Sequence, residues 1–288
     1  MRKRMILSFH PCLVADHQVI LGDRSLSRQD FSLMADAEVI LLPQTCAPDL
    51  YRACAGSTAL LFPHYDLRFK YAGKVGQSRL FKKIGCVHPR TCIWRGVEEW
   101  ENAGSGEGFP PEGPFLIKAN AGHESEGVYL IEDQDTLEAA LEKLRYGEET
   151  GSSGFISQEL IPGSGNVLRV VIMGERITSY WKRPEKQGQI ISSVGGGARI
   201  DKEWREDLQA LGREESGKIA DVTGINLAAL DFVFPLSEPE PRPYILEINY
   251  YFGRRGLGGS ERFYRLLYET AREWLKNNGI DPRPLSLA

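Results

Sequence analysis

The sequence predicts a mixed α/β (α+β) protein in two parts, a small N-terminal α/β domain over residues 1–70 and a larger α+β region over 71–278. Three observations predict it. Short apolar runs at 5–9, 38–42 and 58–62 (MILSF, EVILL, TALLF) are separated by polar, proline-containing segments, the texture of buried parallel strands. Beyond residue 70, strand patterns alternate with helix patterns and with loops rich in Gly, Pro and Glu. Two pairs of runs, 167–173 with 176–181 and 228–234 with 244–249, read as hairpins. With 288 residues, 42% of them hydrophobic, the chain has material for one to three domains.

Composition excludes several functions. A net charge of −4 gives no global basic field for nucleic acid or membrane, and no apolar run reaches the ~18 residues of a membrane span. MRKRMILSF is too short in its apolar part for a signal-peptide core and reads as a first strand. The five cysteines, odd in number and without a CxxC pair, fit reduced thiols in a cytoplasmic protein. His10, Cys12 and His17 match no familiar metal-finger spacing and read as a strand end entering a loop.

In chain order, GKVGQSRLFKKIG (73–85) reads as a basic helix stopped by Gly85, with Pro89 beyond it. A loop (101–114) leads to a strand at 115–118, the loop ANAGHESEG, and a second strand at 128–132. Asp135 with Glu138 predicts a capping box for a helix through about Arg145, and 155–161 is a further strand. A Gly174–Glu175 turn joins the first hairpin. Asp201 is expected to start a long helix running towards Gly224, and a final amphipathic helix covers 260–277.

The chemistry concentrates in the second hairpin. AALDFVF carries one acid, Asp231, and YILEIN ends on Glu247 and Asn249. If Asp231 lies opposite Glu247, strand alternation puts Asp231, Glu247 and Asn249 on one face, with Ile245 beside them, and Phe232, Phe234, Leu246 and Ile248 on the other. Three oxygen donors on one face suit a hard cation such as Mg²⁺, and a half-exposed hairpin with scattered acids has the same pattern. Lys118 ends a strand before a loop holding Gly122 and Gly127, where backbone N–H groups can cradle phosphate; no Walker-type motif is present.

The order of these parts resembles the ATP-grasp superfamily, and most closely its ribosomal-protein glutamate ligase and glutathione synthetase-like branch, over roughly residues 70–278. GKVGQSRLFKKIGCVHPRT resembles the family's helix that opens on an ATP-contacting lysine, FLIKANAGHESEGVYLI its lysine strand and phosphate loop, and ISQELIPG its linker. LRVVIMGERITSYWKR matches the segment carrying two arginines, and ALDFVF with YILEIN the metal acid and the Glu-x-Asn strand. The resemblance implies an ATP-grasp fold with a nucleotide cleft between two α+β subdomains, 71–160 and 161–278. It implies ATP bound by Lys74, Lys118, the loop from Gly122 to Gly127, and the linker residues Glu159 and Ile161. One or two Mg²⁺ ions, or Mn²⁺, would be held by Asp231, Glu247 and Asn249, with Arg169 and Arg183 stabilising the transferring phosphoryl group.

Departures limit what the resemblance implies about substrate. Val167 stands where related ligases often carry an acid, Ser192 where they carry asparagine, and the phosphate loop is unusually acidic. Instead of a Pro-Gly turn after Asn249, the chain continues with two tyrosines, a phenylalanine and the pair Arg254–Arg255, then GLGGS and a helix start. Guanidinium forks beside a helix start make an anion site, so an acidic carboxylate substrate is expected there, although arginines on a surface loop would read the same way. The function expected is an ATP- and Mg-dependent carboxylate–amine or carboxylate–thiol ligase working through an acyl phosphate. A small-molecule kinase of the inositol-phosphate type on the same fold and a non-catalytic nucleotide-binding protein remain as alternatives. The oligomeric state is open, homo-oligomers included.

Overall fold

The computed structural model describes residues 5–103, 113–121, 127–151, 154–185 and 198–288. The first unit contains β1 (Ile6–Ser8), β2 (Leu13–Val14), β3 (His17–Gln18), α1 (Arg28–Asp36), β4 (Val39–Leu41), α2 (Pro48–Ala55), β5 (Leu60–Phe62) and α3 (Asp66–Lys70). Its parallel sheet has the order β3-β1-β4-β5. β1 and β4 are buried throughout, as parallel strands covered on both faces must be. β3 lies on one side of β1, and β4 and β5 on the other, so the connections from the adjacent strands β1 and β4 leave in opposite directions across the sheet.

The second unit begins with α4 (Gly73–Ile84), which stops where Gly85 takes a left-handed conformation (φ 70°). There follow β6 (Thr91–Trp94), α5 (Val97–Asn102), β7 (Phe115–Ala119), β8 (Val128–Ile131), α6 (Gln134–Glu149) and β9 (Phe155–Glu159). These strands form an antiparallel sheet, β6-β9-β7-β8, whose aromatic core of Trp94, Trp100, Phe115 and Phe155 packs on Ala140, Leu141 and Leu144 of α6. The expected Asp135–Glu138 box is not the cap of α6. Asp133 is, because its carboxylate accepts from the Thr136 N–H (2.9 Å) while the Thr136 hydroxyl accepts from the Asp133 N–H (3.1 Å). Glu138 instead accepts from Gln134 Nε2.

The third unit comprises β10 (Val167–Met173), β11 (Arg176–Arg183), β12 (Arg199–Asp201), α7 (Glu206–Thr223), β13 (Leu227–Val233), β14 (Tyr244–Asn249), α8 (Ser260–Asn277) and β15 (Ser286–Leu287). Its antiparallel sheet has the order β12-β11-β10-β13-β14. α7 covers one face through Leu208 and Ile219, which pack with Leu168, Val170 and Phe232. α8 covers the other, and its residues Phe263, Leu267 and Ala271 lie between Val171 and Ala229 of this sheet and Ile6, Val39 and Phe62 of the parallel sheet. One helix thus serves as filling for two sheets. β15 returns to pair with β2.

Two expectations need correction here. Asp201 ends β12 instead of starting α7: its carboxylate accepts from the Glu203 and Trp204 N–H groups, holding a turn before the helix opens at Glu206. Asp231 does face Glu247, but a bulge follows, after which Phe232 faces Ile245. The extra residue is Leu246, so Ile245 joins Ile248 in the core and does not share a face with Glu247 and Asn249, while Leu246 is only partly buried.

Candidate active site

Strand alternation and register bring Arg169, Lys182, Asp231, Glu247 and Asn249 from four adjacent strands to one face of the five-stranded sheet. Asp231, 1% exposed, is the hub. Its carboxylate accepts from Arg169 Nε (2.8 Å) and Nη2 (2.7 Å), Lys182 Nζ (2.8 Å) and Asn249 Nδ2 (3.3 Å). Burial pushes the Asp231 carboxyl up, and the Arg169 and Lys182 charges outweigh it, holding the group well below the usual carboxylate range. Asn249 Nδ2 also donates to Glu247 Oε1 (3.0 Å).

The opposite wall comes from the four-stranded sheet and α4. Lys118, 8% exposed, donates to Gln158 Oε1 (2.6 Å), and Gln158 donates on to the Thr91 hydroxyl (3.0 Å). Burial lowers the Lys118 pKa to about 8, with Lys74 adding to the effect and the Glu247 and Asp231 charges opposing it. Lys74 opens α4, where its N–H donates to the Asn120 carbonyl and the Val75 N–H to Asn120 Oδ1 (3.1 Å). Gly73 permits this contact, because a Cβ there would lie 2.2 Å from Asn120 Oδ1. Among the described residues, four cations (Lys74, Lys118, Arg169, Lys182) therefore meet two carboxylates (Asp231, Glu247), a positive surplus suited to a polyphosphate.

The low Lys118 pKa has a measurable consequence. Between its folded value of about 8 and the ordinary 10.5, the unfolded chain holds a proton that the folded one has lost, so this group makes the unliganded protein more stable as pH rises through that window. Affinity for a nucleotide should move the other way and weaken above pH 8, as the charge facing the phosphates is lost. Calorimetric ATP titrations on either side of that pH, in wild type and Lys118→Gln, check this. Equal pH dependence in both proteins would remove Lys118 as the titrating group.

Other expected residues are placed differently. Arg183 faces away from Asp231: Nη1 donates to Asp201 Oδ2 (2.8 Å), and its guanidinium lies 4.2 Å from the centre of the Trp204 ring. Alternation along β11 puts Lys182 where Arg183 was expected. The Glu159 N–H is already donated to the Arg90 carbonyl (2.9 Å), and the Ile161 carbonyl accepts from the Gly163 N–H (2.8 Å). Gly127 takes φ 70° at the end of the loop after β7, whereas Gly122, Ser192 and Gly195–Gly197 lie outside the described residues. Arg254 lies over the rings of Phe263 and Tyr264, and Arg255 is exposed on a single turn of 3-10 helix.

The donor set fits a hard cation at Glu247 and Asn249. With Nδ2 of Asn249 turned to both carboxylates, its Oδ1 and the second Glu247 oxygen have no partner among the described residues. Asp231 fits less well than expected from the sequence, since Oδ2 already accepts three donors and Oδ1 one.

No protein-family model matches the chain. It is 25% identical over 212 residues to a probable alpha-L-glutamate ligase of Alkalilimnicola ehrlichii, covering 69% of this chain and 64% of that protein. A protein with the same description from Xanthomonas oryzae pv. oryzae is 29% identical over 155 residues, 52% of this chain and 47% of its own length. The matched region thus spans less than two thirds of these relatives. Among solved structures, a RimK domain ATP-grasp protein of Sphaerobacter thermophilus superposes with a TM-score of 0.59 at 16% identity, covering 93% of this chain and 99% of that one. The D-alanine–D-alanine ligase of Helicobacter pylori superposes with a TM-score of 0.58 at 16% identity over 82% of this chain and 70% of its own. The arrangement of the two sheets is that of the ATP-grasp fold, and the chain is similar in sequence to the probable alpha-L-glutamate ligases.

Proposed function

We propose that the protein is an ATP- and Mg-dependent ligase that joins the carboxylate of an acidic substrate to an amine through an acyl phosphate. The observation that carries this reading is the cleft itself, where Lys74 and Lys118 on one wall oppose the Asp231 cation hub and the open oxygens of Glu247 and Asn249 on the other. The relatives' descriptions name L-glutamate, which makes an acidic amino acid the first substrate to try.

In the reaction, a substrate carboxylate oxygen bonds to the γ-phosphorus of ATP and ADP leaves; the amine nitrogen then bonds to the acyl carbon, phosphate leaves, and the amine gives up a proton. No covalent enzyme intermediate is needed, so the protein's work is positioning and charge neutralisation. Lys74 and Lys118 contact the phosphates, Gly122 and Gly127 are assigned to the same part of the nucleotide, and Glu159 and Ile161 to the base. Arg169 and Lys182, kept in place by Asp231, face the transferring phosphoryl group, with Lys182 in the role that the sequence suggested for Arg183. Glu247 and Asn249 would hold Mg²⁺, or Mn²⁺, which when bound neutralises phosphate charge. Arg254 lies on the substrate side. The free thiols suit a reducing, cytoplasmic setting.

Mg²⁺ without nucleotide should leave the melting temperature unchanged, because the cleft is already cation-rich. Mg-ATP at about 100 times its dissociation constant should stabilise the fold by ~2.7 kcal/mol. ADP release is then measured with L-glutamate, with and without an added amine. Release that requires both, with a product of the summed mass less water, supports a ligase. Release with L-glutamate alone and a stable phosphorylated product supports a kinase, and no thermal response to Mg-ATP overturns the reading.

A further inference from the structure

β1 runs into the loop 9–12, at the C-terminal edge of the parallel sheet and beside the β1–β4 boundary, where the connections leave in opposite directions. In open α/β sheets this is where ligands bind, in the crevice beyond the strand ends at the switch point. His10 stands there. It is 3% exposed, and its Nδ1 accepts from the Cys12 N–H (3.1 Å). That bond assigns the ring proton of the neutral imidazole to Nε2, a donor with no hydrogen-bond partner among the described residues.

Arg254 reaches the same place from the far side of the protein's third unit. Its guanidinium carbon lies 4.9 Å from the Phe263 ring centre and 4.5 Å from that of Tyr264, and the Tyr264 ring packs edge-on against His10 at 5.9 Å. The rings fix the plane of the guanidinium without neutralising it. Its described polar contacts are neutral, a long 3.5 Å bond to the Ser260 hydroxyl among them, and it forms no ion pair with a carboxylate among the described residues. A half-buried arginine stacked on two rings, next to a buried imidazole with an open N–H, is a pair of donors in want of an anion. Ser260 begins an 18-residue helix, whose N-terminus adds favourable potential for negative charge. Burial and then the Arg254 charge lower the His10 pKa to about 4, so the imidazole remains a neutral donor at neutral pH.

We propose that His10 and Arg254, at the start of α8, form a carboxylate-binding subsite that anchors the acidic substrate, with His10 donating from Nε2 and Arg254 supplying the charge. The inference rests on the ligase reading for what the anion is, and it separates the two arginines: Arg254 binds, and exposed Arg255 does not. It also gives the N-terminal unit a part in recognition that neither its sequence nor the cleft suggested.

The test is direct binding to the full chain by calorimetry, without nucleotide, using L-glutamate, glutarate and inorganic phosphate as probes. Glutarate tests the carboxylate without the amine, and phosphate tests a general anion site. Wild type is expected to bind both carboxylates more tightly than phosphate. Arg254→Gln should weaken carboxylate binding about tenfold or more, and His10→Phe about fivefold, with His10→Gln recovering much of the loss because its amide restores a donor. Arg255→Gln should match wild type. Melting curves establish that each variant is folded, and His10→Ala serves if His10→Phe is not. Tighter binding of phosphate than of either carboxylate, equal losses in the two arginine variants, or full affinity in folded His10→Phe or His10→Ala would each overturn the subsite. A parallel Mg-ATP titration separates the two readings. Nucleotide binding without carboxylate binding removes the subsite and leaves the nucleotide cleft standing, whereas Arg254-dependent carboxylate binding without nucleotide binding does the reverse.

Discussion

Asp231→Asn is expected to destabilise the unliganded protein by about 3–5 kcal/mol, the loss seen when one partner of a buried ion pair is removed. The carboxylate is 1% exposed and holds two cations, Arg169 and Lys182, whose side chains are 12% and 7% exposed. An amide of the same size keeps the packing but leaves two desolvated positive charges without a counter-charge. The loss comes from those uncompensated cations and not from one missing hydrogen bond. Adding Lys182→Met to Asp231→Asn should therefore recover part of the stability, because one orphaned charge goes with it. Urea unfolding of the wild type, both single variants and the double variant measures this as a cycle. A loss below about 1 kcal/mol for Asp231→Asn would mean that water or a mobile anion compensates the two cations.

Glu247→Gln is expected to have the opposite profile, with stability nearly unchanged and turnover lower by about 10²-fold or more. Glu247 is only partly buried, and its one described hydrogen-bond partner is the Asn249 amide. A glutamine fits the same space. What it cannot supply is a negative oxygen to a divalent cation, which would neutralise phosphate charge if held by Glu247 and Asn249. Apo melting temperature and Mg-ATP-dependent ADP release, measured side by side, distinguish the two residues. Normal turnover in Glu247→Gln would remove it from the metal set. The contrast between these neighbours follows from burial: one acid organises the site's cations, and the other is left open.

Much of this was legible in the sequence, for identifiable reasons. The register of Asp231 against Glu247 was a condition of the reading, one that centres the turn on Pro239 among breakers, and the structure has that register. Helix ends set by Gly85 and Gly224 were readable because glycine there takes a left-handed conformation. The bulge at Leu246 was not readable, since nothing local distinguishes an extra residue from a register, and it alone moved Ile245 to the core. The Arg183 misplacement was avoidable. A two-residue turn at 174–175 sets Arg169 against Tyr180, which puts Lys182 on the site face and Arg183 behind it. That Asp231 would hold cations was hidden because its partners come from other strands, 62 and 49 residues away. His10 gave no signal at all: only the arrival of Arg254 and α8 makes its position informative.

β14 lies at the edge of its sheet, and α4 closes that edge. Gln77 donates from Nε2 to the Ile248 carbonyl (2.9 Å) and accepts from the Ile248 N–H at Oε1 (2.8 Å), while the Ile245 N–H donates to the Val87 carbonyl (2.9 Å). A side-chain amide therefore stands in for a neighbouring strand. Gln77 lies one turn along α4 from Lys74, and Ile248 lies between Glu247 and Asn249. The two walls of the cleft are thus bolted together beside the residues expected to touch phosphate and metal. Any hinge rotation that keeps these bonds has its fulcrum there. In such a rotation Lys74 would stay in step with Glu247 and Asn249, and the travel would fall to the far end of the lever, at β7 and β8.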